Sequence, residues 1–70
     1  MANHVYAVSE VVGSSQTTIE DAIETALGRA RQTVRHLDWF QVTEIRGHLD
    51  DTGAIDHYQV GLKLGFRMED

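Results

Sequence analysis

The sequence contains no cysteine and no proline among its 70 residues. Without cysteine, disulfides, cysteine-ligated zinc and iron–sulfur clusters are excluded, and cysteine usage gives no hint of compartment. Basic residues are few: six Lys and Arg stand against eleven Asp and Glu, for a net charge of −5. The basic footprint expected of a nucleic-acid binder is therefore missing. No apolar run approaches the roughly 20 residues that cross a bilayer. The first ten residues, MANHVYAVSE, have neither the charged start nor the apolar core of a secretory signal. These absences lead us to expect a soluble cytoplasmic protein without a nucleic-acid or membrane partner. No linker, internal repeat or low-complexity tract divides the chain, so one domain over residues 1–70 is expected.

What is present is an ordinary globular composition, 41% hydrophobic and 24% charged, far from that of a disordered chain. A lone chain this short buries only about 60% of its unfolded surface and is marginally stable. Self-association, disulfides or a metal usually make up the difference.

Three strands and one helix are legible. His4 to Val12 is rich in Val and Tyr, with Val5, Ala7 and Val11 on one face and Tyr6, Val8 and Val12 on the other. It reads as a strand covered on both sides. Gly13 to Gln16 reads as a loop. Thr17 and Glu20 have capping-box spacing, and Ile19, Ala22, Ile23, Ala26, Leu27, Ala30, Val34 and Leu37 then form one helical face. Glu20, Asp21 and Glu24 near its start, with Arg29, Arg31 and Arg35 near its end, suit the helix dipole on a solvated face. Gly28, costly inside a helix, is expected to admit another backbone closely.

Trp39 to Leu49 reads as a second strand, with Phe40 and Val42 on one face, Trp39, Ile45 and Leu49 on the other, and a bulge at Gly47. Asp50 to Gly53 is a turn. In the third strand Tyr58, Val60, Leu62, Leu64, Phe66 and Met68 alternate with His57, Gln59, Gly61, Lys63, Gly65 and Arg67. The order is β-α-β-β in an α+β fold. An antiparallel three-stranded sheet then requires the strand order 1-3-2, with the helix on one face. The other face lacks cover within the chain, so other subunits or a ligand are expected there.

No catalytic constellation is visible. There is no nucleophile elbow, and Ser9, Ser14 and Ser15 have no evident base beside them. The glycine pair Gly61 and Gly65 lies inside a strand rather than in a phosphate loop. His4, His36, His48 and His57 lack the spacing of a helical zinc pair, and surface or interface positions account for them. Asp50, Asp51 and Asp56 gather at a turn without the EF-hand pattern; weak divalent-ion binding and a plain solvated hairpin tip both fit. Trp39 either caps the small core or offers a stacking platform for a planar ring. Gln59, on the polar face, can both donate and accept toward an imide-like edge. Arg46 and Arg67 either bind a phosphate or pair with Glu44 and Glu69.

The chain resembles the dodecin family over nearly its whole length. The likeness rests on the first strand running into VVGSS, then ARQTVRHLDWF, QVTEIRGHL and HYQVGLKLGFRMED, and on the order of LDWF, EIRG, YQV and GFR within them. The resemblance implies a β-α-β-β fold and twelve subunits in a hollow shell of tetrahedral symmetry, with flavins at subunit interfaces. It assigns ring stacking to Trp39 and the pyrimidine edge to Gln59. Phosphate or ring contacts fall to Arg46 and Arg67, while Asp38 and His48 match in position without an assigned role. It further implies FMN as ligand, with riboflavin or FAD as alternatives, and storage, buffering and photoprotective quenching rather than turnover. A ligand-free structural or protein-interaction oligomer and a flavin-dependent enzyme are the competing readings.

Overall fold

The structure, a computed structural model, describes residues 3–69. Strand β1 (Tyr6–Ser15) leads into helix α1 (Ile19–Thr33), followed by the hairpin of β2 (Leu37–Leu49) and β3 (Ile55–Arg67). The three strands form one antiparallel sheet in the order β1-β3-β2, the order that the β-α-β-β connectivity requires of an antiparallel sheet. Among the described residues, no helix is long and apolar enough to cross a membrane.

The helix starts one residue later than its capping-box spacing indicates. Thr18, not Thr17, is the N-cap, and its hydroxyl accepts from the Asp21 backbone N–H at 2.9 Å. The strand before it is longer than expected and runs through Gly13 to Ser15. Buried Ser15 takes over the entry to the helix. Its hydroxyl accepts from the backbone N–H groups of Thr17 and Thr18 and donates to Asp21 Oδ2 at 2.7 Å. The helix closes at Val34, and His36 turns the chain into β2 with φ of 61°.

Helix and sheet meet through small residues. Ala22, Ala26 and Ala30 face Val60, Leu62 and Leu64, and these six are the whole buried hydrophobic core among the described residues. The close backbone approach occurs at Gly13, not Gly28. A Cβ at residue 13 would strike the Ala22 carbonyl and lie 2.9 Å from the Ala26 Cβ, whereas Gly28 faces open space. Met68 lies beyond the end of β3 and is exposed, outside the apolar row expected to include it.

Two bulges in β2 set which side chains share a face. Opposed residues in an antiparallel pair point to the same side of the sheet. Leu37 opposes Phe66 and Trp39 opposes Gly65, leaving Asp38 as the extra residue. Val42 opposes Leu62 and Glu44 opposes Gly61, leaving Thr43 as the second. Each bulge inverts the alternation that follows it. Ile45 therefore joins Phe40 and Val42 on the helix side, and Trp39 shares the bare face with Gln41, Glu44, Arg46 and His48. The expected grouping of Trp39 with Ile45 fails for this reason. Gly47 pairs regularly with Tyr58 and makes no bulge.

Candidate functional site

The bare face of the sheet collects most of the polar candidates. From β1 it carries Tyr6, Val8, Glu10, Val12 and Ser14, and from β3 Gln59, Gly61, Lys63, Gly65 and Arg67. The side chains of β2 complete it, and two clusters form at opposite ends.

At one end, Trp39 lies across Gly65. A Cβ on residue 65 would fall among Cε2, Cζ2 and Cδ2 of the indole, so only glycine permits this seat. Trp39 is 39% exposed and stands outside the buried core. Its inner face rests on backbone and its outer side is open, the geometry of a stacking platform. Nearby, Arg67 lines a small polar recess with Tyr6, His36, Leu37 and Asp38. The end of the chain is fastened there by bonds from Arg67 N–H to His36 O (3.0 Å) and from Met68 N–H to Val5 O (2.8 Å). Glu69 pairs with Arg35 at 3.3 Å and with His36 at 3.0 Å, leaving the Arg67 guanidinium without a hydrogen-bond partner among the described residues.

At the other end, Gln59 opposes Arg46 across the β2–β3 pair. Arg46 Nη1 donates to Gln59 Oε1 at 3.1 Å, and its Nη2 is paired with Glu44. His48 Nε2 lies 3.0 Å from the same Gln59 oxygen. The His48 ring stacks on His57, with centroids 4.6 Å apart and planes 7° from parallel. Asp56 Oδ2 holds His57 Nδ1 at 2.6 Å. Arg46 is thus engaged within the chain, while Arg67 is the freer cation.

The two clusters do not meet in one chain. Gly65, beneath Trp39, and Gln59 are six positions apart on β3, which at strand rise is about 20 Å. The pairing of Arg46 with Glu44 is one of the two readings expected for it; sequence reasoning missed Gly65 as the seat of the indole, and His57 and Asp56 as the frame around His48. Register was the missing signal: both bulges must be placed before the cross-strand partners can be read.

Asp50 belongs to the hairpin tip. Its Oδ1 accepts from the Thr52 N–H (2.9 Å), the Thr52 hydroxyl (2.6 Å) and the Ala54 N–H (3.1 Å). The hydroxyl bond first, and then the backbone N–H bonds, hold this carboxyl below its ordinary range. Among the described residues, no three His, Asp or Glu side chains converge as a metal site.

A single helix thus covers part of one sheet face, and the other face carries the Trp39 and Gln59 clusters. The dodecin family model matches residues 5–69, and the chain belongs to that family, whose members bind small ligands, commonly flavins. It is similar to the dodecin of Thermus thermophilus, 53% identical over 66 residues that cover 94% of each chain. The calcium dodecin of Mycobacterium tuberculosis is 34% identical over 64 residues, covering 91% of this chain and 89% of that one. The structure of dodecin from Streptomyces coelicolor superposes with a TM-score of 0.92 at 54% identity, covering 100% of this chain and 99% of that one.

Proposed function

We propose that this protein binds FMN at the interfaces of a homododecamer and serves as a flavin store that also quenches the excited flavin. The carrying observation is the Trp39 indole, seated on Gly65 with its outer side open. A flavin ring laid on it gains offset stacking of about 0.5–1.5 kcal/mol beyond area burial. Contact with the electron-rich indole lets it transfer an electron to the photoexcited ring and return it, dissipating the excitation without chemistry. Family membership favours a flavin over other planar ligands.

The site is composite. Trp39 and Arg67 of one subunit are too far from Gln59 and Arg46 of the same subunit to hold one ring. A second copy facing the bare sheet brings the missing half, and two-fold packing generates two such sites at once. Trp39 stacks, Gln59 and Arg46 meet the ring edge, and Arg67 is placed for the phosphate. A ring enclosed between subunits excludes a second substrate, which favours storage over turnover. The 34% identical relative is named for calcium; in this chain Asp50 Oδ1 is engaged by Thr52 and Ala54 at the hairpin tip.

Purified protein is expected to be yellow, to release FMN on heating, and to quench added FMN. Trp39→Ala should weaken binding by about tenfold or more and restore fluorescence in what remains bound. Protein that leaves FMN fluorescence unchanged at micromolar concentration would overturn the proposal.

A further inference from the structure

We propose that His48 is a positioning residue for Gln59. Together with Arg46 it turns the Gln59 amide so that this half of the site reads the hydrogen-bond-accepting edge of its planar ligand. The inference rests on the flavin-binding reading and adds which groups of the ring edge are recognised, its acceptor atoms rather than its imide N–H.

Three steps lead to it. A guanidinium has donors and no acceptor, so the Gln59 atom 3.1 Å from Arg46 Nη1 is the amide oxygen. That oxygen is 3.0 Å from His48 Nε2. A bare ring nitrogen there would set lone pair against lone pair, so Nε2 carries a proton and donates. Two donors then fill both lone pairs of the oxygen. What Gln59 has left is its NH2 group, which has no hydrogen-bond partner among the described residues. Two free N–H donors suit a ring carbonyl or a pyridine-type ring nitrogen and cannot satisfy an imide N–H.

The frame around this amide is built from both sides. Glu44 engages Arg46. His57 supports the His48 ring by parallel stacking and is itself held by Asp56. Ser14 of β1 lies opposite Gln59 on the same face. His48 thus acts through Gln59 and need not touch the ligand. An amide free to rotate would meet donor and acceptor edges equally well; the fixed one discriminates between them.

Two measurements test the inference. Long-range 1H–15N spectra of the ligand-free protein should show the His48 proton on Nε2. A proton on Nδ1 alone, with Nε2 bare, would overturn it, and this result does not depend on any flavin binding. Quenching titrations then compare riboflavin with 3-methylriboflavin, which lacks the imide N–H. The wild-type protein should bind the two equally. His48→Phe keeps the ring on His57 but releases one lone pair of Gln59, and should favour riboflavin by about tenfold, the worth of one hydrogen bond. His48→Gln restores a donor and should return the ratio to the wild-type value. A ratio unchanged by His48→Phe, or a wild-type preference already near tenfold, would overturn the assignment. If neither flavin is quenched by the wild-type protein, the flavin reading fails, and the tautomer alone decides the role of His48.

Discussion

Gly65 and Trp39 act as one unit, because the space a Cβ would take at residue 65 is occupied by the indole. Alanine is ordinarily the better residue inside a strand, by roughly 0.5–1 kcal/mol. Here that sign should reverse. Gly65→Ala must lift the ring from the sheet, so it should lower the unfolding midpoint and weaken flavin quenching. In a Trp39→Ala background the same change should be neutral or stabilising, since the obstacle has gone. A double-mutant cycle by denaturant melts measures this coupling; an equal cost in both backgrounds would show that the two residues are independent. The composition of the polar face was readable along β3, where glycines alternate with Gln59 and Lys63. The pairing of Gly65 with Trp39 was not readable, because it depends on a bulge at Asp38 that no glycine marks.

At the scale of elements, the legible features were those with a strong period. The alternation from Tyr58 to Phe66 identified the two faces of β3, and the β-α-β-β connectivity put it at the centre of an antiparallel sheet. β2 was misread where Thr43 inverts its alternation, since a bulge at a non-glycine residue leaves the composition of a strand unchanged. The start of α1 was ambiguous because Thr17 and Thr18 both offer a capping hydroxyl, and only the backbone decides between them. The hairpin tip carries a prediction of its own. The Asp50 carboxyl is held below its ordinary range chiefly by the Thr52 hydroxyl. A group whose pKa is lower when folded than when unfolded contributes stability in full above the unfolded value, about 3.9 for aspartate. That contribution is lost as the pH falls through the folded value. The tip should therefore keep its turn at neutral pH and loosen below about pH 4. Amide exchange at Thr52 and Ala54, corrected for intrinsic pH dependence, should accelerate in that range. Asp50→Ala should show fast exchange at every pH, and a pH-independent difference between the two proteins would remove Asp50 from this role.

The whole chain leaves much of its surface open. A compact monomer of its mass exposes about 4,400 Å², whereas this 7.9 kDa chain exposes 5214 Å². The excess has two sources. The bare sheet face lies open, and α1 sits over β1 and β3, leaving Phe40 (45% exposed) and Ile45 (53%) of β2 uncovered on the helix side. Half of the buried hydrophobic core consists of alanines, too little apolar volume to stabilise a separate subunit well. Folding and assembly should therefore be linked, and the thermal midpoint should rise with protein concentration. Saturating FMN should raise it further, by about 2.7 kcal/mol of added stability at a hundredfold excess over Kd. Melts across a hundredfold dilution series, with and without FMN and with mass measured by light scattering, test both links. A midpoint independent of concentration, together with a mass near that of one chain, would mean that the small core suffices and that the exposed faces need no second copy.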